Sequence, residues 1–97
     1  MVRWTWDANK DRINRRKHSL DFETAQFVFD DPYAASRRDS HLDEERWQTI
    51  GIIGNVVVFV VHTWPEPVRG SVEEFGRIIS ARKATPHERR AYEEGAF

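Results

Sequence analysis

Arg46, His62, Arg77 and Arg82 are the side chains of this 97-residue sequence best suited to chemistry. A guanidinium group stays charged and presents a planar fork of donors, so three of them favour an anionic ligand such as a phosphate. An imidazole titrates near neutrality and can take or give a proton there. Each residue also has an ordinary reading. Arg77 can pair with Glu73 or Glu74, Arg46 follows Asp43-Glu44-Glu45, and His62 can be a plain strand-end histidine. An arginine inside an apolar strand is costly unless it is paired or reaches a ligand.

These side chains need strands to hold them. Trp47, Thr49, Ile50, Ile52 and Ile53 lead into Gly54-Asn55 and then Val56 to Val61, His62, Thr63 and Trp64. Gly-Asn between two β-branched runs predicts a tight hairpin, with Gly54 supplying the positive φ of a type II′ turn. The unbroken apolar run Val56–Val61 requires cover on both faces and is expected at the centre of the sheet. A last strand is expected over 74–81. Simple alternation there puts Arg77 with Phe75, Ile79 and Ala81 on one face, and Arg82 with Ser80 and Ile78 on the other. If strands 46–53, 56–64 and 74–81 pair antiparallel, the three arginines and His62 come from neighbouring strands and can form a cationic cluster.

The remaining elements are helical or irregular. Trp4 and Trp6 alternate with polar residues in a short half-buried strand. Asp7 then caps a helix over about 8–17, and Asp21 caps a second one with Phe22, Ala25, Gln26 and Phe29 on one face. Asp31-Pro32 stops that helix. Residues 33–45 read as a loop or a poor edge strand, and 65–71 as a loop. Thr85-Pro86-His87-Glu88 is a capping box that opens a short helix over about 86–94. The fold expected is α+β: a small antiparallel sheet packed by two N-terminal helices and a short C-terminal helix, in one domain over 1–97.

Charge is segregated although the net charge is −1. Residues 10–18 carry five cations against one acid, and so do residues 77–90, each a net +4, leaving −9 for the rest. Two basic segments on a neutral chain favour a polyanion-binding face, against the plainer reading of solvated helix surfaces. With no cysteine, thiolate metal sites, disulfides and a cysteine nucleophile are excluded, and a reducing cytoplasm is compatible. The longest apolar run has six residues, Val56–Val61, too few to cross a bilayer. Asp39, His41, Asp43 and Glu44 place oxygen and imidazole ligands in one loop, a weak divalent-ion signal beside the reading of a solvated acidic loop. No phosphate-binding glycine loop or zinc-protease motif is present, and Ser80 has no local base.

The order of motifs resembles the BrnT family of bacterial toxins. Trp6-Asp7-Ala8-Asn9-Lys10, Asn14, Lys17-His18, Asp21-Phe22-Glu23-Thr24-Ala25 and Phe29-Asp30-Asp31-Pro32 carry the first half. Arg46 to Gly51, and Arg77-Ile78-Ile79-Ser80-Ala81-Arg82-Lys83-Ala84 with Glu88 and Tyr92, carry the second. The segment Trp64–Phe75 is longer than that pattern. The resemblance implies a RelE-like fold and a cytoplasmic ribonuclease toxin that inhibits translation. It also implies a BrnA-like ribbon–helix–helix antitoxin, with operator DNA reached only through that partner. Cleavage without a metal needs a proton acceptor, a donor and cations around the phosphate. His62 is then the candidate acid or base, Arg46, Arg77 and Arg82 the phosphate-stabilising groups, and Lys10, Lys17, His18 and Lys83 the RNA-backbone contacts. A non-catalytic partner-binding module acting as operon co-repressor is the competing reading, and a metal-dependent nuclease using the acidic loop is another.

Overall fold

The computed structural model describes residues 2–40 and 44–97. Among these residues six strands form one sheet: β1 (Val2–Thr5), β2 (Ala35–Asp39), β3 (Arg46–Ile53), β4 (Val56–His62), β5 (Glu66–Pro67) and β6 (Glu74–Lys83). The spatial order is β1-β6-β4-β3-β2, with β5 also paired to β6. The sheet is mixed rather than antiparallel throughout. β1 runs parallel to β6, because the helices α1 (Ala8–His18) and α2 (Phe22–Ala25) and strands β2–β5 intervene before the chain returns beside it. Gly54 has φ +63° and Asn55 has no positive φ, as the β3–β4 turn requires.

One face of the sheet is packed by α1, by α2 and by a 3₁₀ turn over Gln26–Asp30. The second helix is therefore shorter than its pattern predicts; it buries Phe22 and Ala25, and the 3₁₀ turn buries Val28. That spacing of three is the 3₁₀ period, and it turns Val28 inward where an α-helix would have turned Gln26. Phe22, Ala25 and Val28 pack with Val58, Val60, Ile78 and Ala81 as the core. The close contact needs two glycines in the sheet. A Cβ on Gly76 would lie 2.5 Å from the Trp4 ring, and one on Gly51 would lie 2.8 Å from Val28.

β1 pairs with β6 only from Glu74 to Arg77, and among the described residues no strand covers the far half of that edge. Asn14 fills the gap. Its side chain, 6% exposed, donates to the Ala81 carbonyl at 2.7 Å and accepts from the Ala81 N–H at 3.2 Å. A further bond to the Leu20 carbonyl, 2.8 Å, ties the end of α1 to the same place. Buried backbone groups need such partners, so a polar helix is anchored by an amide instead of an apolar stripe.

The third helix, α3 (Pro86–Glu94), begins with the capping box expected: Thr85 accepts from Glu88 N–H, and Glu88 accepts from Thr85 N–H. It lies on the other face of the sheet. Its Tyr92 hydroxyl donates to Asp31, which also accepts from the backbone of Ile52 and Tyr33. Burial raises the Asp31 pKa, but the bonds from Tyr92, Ile52 and Tyr33 outweigh it and leave the carboxyl below its ordinary value. The same bond to Asp31 pushes the Tyr92 phenol up to about 12.

Candidate nucleic-acid interface

Register decides which side chains can meet. In β4 and β6, Val60 faces Ala81 and Val61 faces Ser80, but His62 faces Ile78. Ile79 is the extra residue of a β-bulge, and it reverses the alternation within β6. Ile78 and Ala81 consequently both enter the core, so Arg77 and Arg82 share the opposite, α3-bearing face. Uninterrupted alternation would have separated them. They stand roughly 15 Å apart along the strand.

Arg46 lies on that same face, at the start of β3, and it meets Arg77. Its Nε donates to Glu44 at 3.0 Å, while Arg77 Nη2 donates to both oxygens of Glu44 at 3.0 and 3.2 Å. Two guanidinium groups from different strands thus close on one carboxylate. The hydrogen bond from Arg46, together with the bonds and charge of Arg77, outweighs the effect of burial and holds Glu44 below the usual carboxylate range. Arg77 keeps 48% of its side-chain surface exposed, against 22% for Arg46, so solvent reaches the pair chiefly from the Arg77 side. Thr63 fixes the strand below them, its N–H donating to the Arg77 carbonyl and its hydroxyl accepting from the Arg77 N–H.

Arg82 is held differently. Its two terminal nitrogens donate to the two oxygens of Glu88 at 2.7 and 2.9 Å, and its guanidinium stacks 4.3 Å over the Phe59 ring. The bond to Glu88 outweighs burial and raises the Arg82 pKa; reciprocally, Arg82 holds the Glu88 carboxyl down. Between these anchors the face carries Gln48, which accepts from Arg37 Nε at 2.7 Å, and the exposed Ser80.

His62 does not join the arginines. It lies on the helix-packed face and is 1% exposed. Its Nδ1 donates to the Thr63 carbonyl at 2.7 Å, which leaves Nε2 to accept from the Thr49 hydroxyl at 2.6 Å. Ser36 in turn donates to Thr49 at 2.6 Å. The edges and faces of Trp4 and Phe29 meet the imidazole in T-shaped contacts at 5.2 and 4.9 Å. Burial pushes the His62 pKa below its ordinary value despite the Thr63 carbonyl, so the ring is neutral at pH 7. The expectation that four groups converge on one hollow is thus corrected to a pair, a third cation on the same face, and a histidine on the far side.

The expected RNA-backbone residues are set apart from the arginines as well. Lys10, Lys17 and the half-buried His18 belong to α1, and the register partner of Lys83 is the core residue Val58, so these cations fall on the helix side of the sheet. The acidic-loop alternative rests partly on His41 and Asp43, which lie outside the described residues. Of its other members, Asp39 accepts from Gln48 and Glu44 is bonded to the two arginines. Among the described residues no three His, Asp or Glu side chains cluster as metal ligands, and no helix is long and apolar enough to cross a membrane.

Glu44, Glu88 and Asn14 are the residues whose roles were missed. A carboxylate beside Arg46 and the N3 glutamate of the capping box were visible, but their second partners, Arg77 and Arg82, depend on the fold. No curated protein matches the chain. A family model described as the ribonuclease toxin, BrnT, of type II toxin–antitoxin systems matches residues 6–88, from the lead-in to α1 through the Glu88 that grips Arg82. That match covers most of the chain, which belongs to the BrnT family of type II toxins.

Proposed function

We propose that the chain is a metal-independent ribonuclease that inhibits translation, with RNA lying across the arginine face of the sheet. The observation that supports this most is the convergence of Arg46 and Arg77 on one carboxylate, since two guanidinium forks that hold a carboxylate can hold a phosphate in the same way. In this reading the ribose 2′-oxygen attacks the adjacent phosphorus, the bond to the 5′-oxygen breaks, and the departing 5′-oxygen takes a proton from solvent water. The products are a 2′,3′-cyclic phosphate and a 5′-hydroxyl end. Arg46 and Arg77 stabilise the charge that builds on the phosphoryl oxygens. Glu44, ionised and already hydrogen-bonded between them, is placed to accept the 2′-hydroxyl proton; His62 is on the wrong face for it. Arg82, oriented by Glu88, contacts a neighbouring phosphate. Lys10, Lys17, His18 and Lys83 add long-range attraction more than direct contacts.

The family assignment implies an antitoxin partner, and we assign it the ribbon–helix–helix type, with operator DNA bound through it. The test is purified protein on a defined RNA in excess EDTA, with the ends of the products mapped. Cleavage leaving cyclic-phosphate ends is the expected result. Activity abolished by EDTA and restored by Mg²⁺ would overturn the metal-free mechanism, and intact RNA with folded protein would favour the non-catalytic co-repressor.

A further inference from the structure

The helix-packed face carries a pocket of about 600 Å³ that RNA cleavage leaves unused. Its aromatic walls are Trp4, Phe27, Phe29 and Trp64, and Asp30 and Glu74 also line it. Trp4 and Phe29 are stacked at 3.9 Å with 10° between their planes, and Phe27 and Trp64 are half exposed. The strand register explains the assembly. Val2 pairs with Glu74 and Trp4 with Gly76, so the ring of Trp4 lies flat over a residue without a side chain, and the 3₁₀ turn supplies Phe27, Phe29 and Asp30 from above.

The chemistry of this lining is one-sided. It contains two carboxylates and no Lys or Arg. Among the described residues neither Asp30 nor Glu74 takes part in an ion pair, whereas the neighbouring Glu73 is bonded to Arg3 at 2.8 Å. Aromatic faces attract a cation, apolar walls accept the methylene stem that carries it, and unpaired carboxylates bind its head. The same carboxylates repel a phosphate backbone. We infer that this pocket is a docking site for an arginine or lysine side chain of the antitoxin, an inference that rests on the toxin–antitoxin reading above. It places the partner's anchor on the opposite side of the sheet from the arginine pair.

The test uses the full chain with ¹⁵N-labelled indoles, titrated with N-acetyl-argininamide, N-acetyl-leucinamide and uridine monophosphate. The argininamide should shift the Trp4 and Trp64 indole N–H signals, with the leucine analogue and the nucleotide shifting them at least about fivefold less at equal concentration. The double variant D30N/E74Q should remove most of that response while its spectrum stays that of a folded protein. Equal shifts by leucinamide would reduce the site to an unselective apolar pocket, and larger shifts by the nucleotide would make it a base-binding site. No shift with any of the three, or an undiminished response in D30N/E74Q, would equally overturn the inference. In the second arm, D30K/E74K should weaken binding of the cognate antitoxin by about tenfold or more, roughly 1.4 kcal/mol. R46A/R77A should bind it as the parent does. An unchanged affinity in D30K/E74K would overturn the docking role even if argininamide binds. RNA cleavage is scored separately, so a chain that binds argininamide but leaves RNA intact defeats only the ribonuclease proposal.

Discussion

The two faces of the sheet are built from alternate residues of the same strands, yet the arginine cluster on one and the aromatic pocket on the other suit ions of opposite sign. On the α3 side, Arg46 and Arg77 share Glu44, and Arg82 is paired with Glu88. On the helix-packed side, aromatic rings and a neutral histidine line a pocket whose two carboxylates lack a basic partner among the described residues. A net charge of −1 therefore describes neither face. Segregation by the two-residue period of a strand, with one bulge to bring Arg77 and Arg82 to the same side, lets a 97-residue chain present an arginine cluster suited to anions on one face and, on the other, a single pocket whose lining suits a cation although α1 beside it is basic.

The widest break in this comparison would come from the arginine pair. Arg77→Ala, and more so R46A/R77A, should lower the rate of RNA cleavage by about 10²–10³, the scale of about 2.7–4 kcal/mol for loss of a donor to a developing oxyanion. The thermal midpoint should change little, because Arg77 is half exposed and bonded to an exposed carboxylate. His62→Gln supplies the contrast. Below its own unfolding temperature it should retain cleavage within a few-fold of the parent. If it were as inactive as R77A while still folded, catalysis would belong to the helix-packed face and the division argued here would fail.

Local signals carried much of this architecture. The Thr85–Glu88 capping box, the Gly54 turn and the apolar run at Val56–Val61 each depend on neighbours in sequence, and each element stands where its pattern places it. The site was less legible for two physical reasons. First, a single bulge residue, Ile79, inverts the face of everything before it, and nothing in Arg77-Ile78-Ile79-Ser80-Ala81-Arg82 marks which residue will be left unpaired. Second, the partners that define each arginine are distant: Glu44 is 33 residues from Arg77. Asn14 was hidden for a similar reason. In a helix with few apolar residues it reads as solvated, and its value emerges only when the edge of β6 near Ala81 is seen to lack a strand.

Two stability measurements sharpen the comparison, since each face is held by a different kind of polar bond. Asn14→Ala should destabilise the protein by about 1–3 kcal/mol, because it leaves buried N–H and C=O groups of Ala81 without a partner. Urea unfolding would check it, and a loss of only a few tenths would mean that water replaces the amide. On the other side, Thr85→Ala should cost about 1 kcal/mol through the lost cap. Glu88 keeps its bidentate bond to Arg82, so cleavage should survive this change better than Glu88→Ala, which removes the cap's second half and the brace on Arg82 together.

The smallest expected effect belongs to His62 and its dependence on pH. Burial lowers its pKa in the folded protein, so the unfolded chain, with a histidine near the ordinary 6.5, binds a proton more readily. Stability should therefore be full above about pH 7.5, decline as the pH falls through 6.5, and level off below the folded-state value. Over the single unit from about pH 7.5 to 6.5 the loss is a few tenths of a kcal/mol, because at most one proton is linked and it is only half bound to the unfolded chain at 6.5. The bonding pattern explains the direction. A proton on Nε2 would face the Thr49 hydroxyl, whose hydrogen now points at that nitrogen and whose oxygen already accepts from Ser36. Asp31, Glu44 and Glu88 have lowered pKa values, so their stabilisation is lost only at lower pH, as it falls through the carboxylate range. Urea midpoints measured from pH 8 to 6 for the parent and His62→Gln separate the two windows. The parent should lose stability across this range while the variant stays flat, and parallel curves would show that the imidazole is not the neutral, buried acceptor described for the helix-packed face.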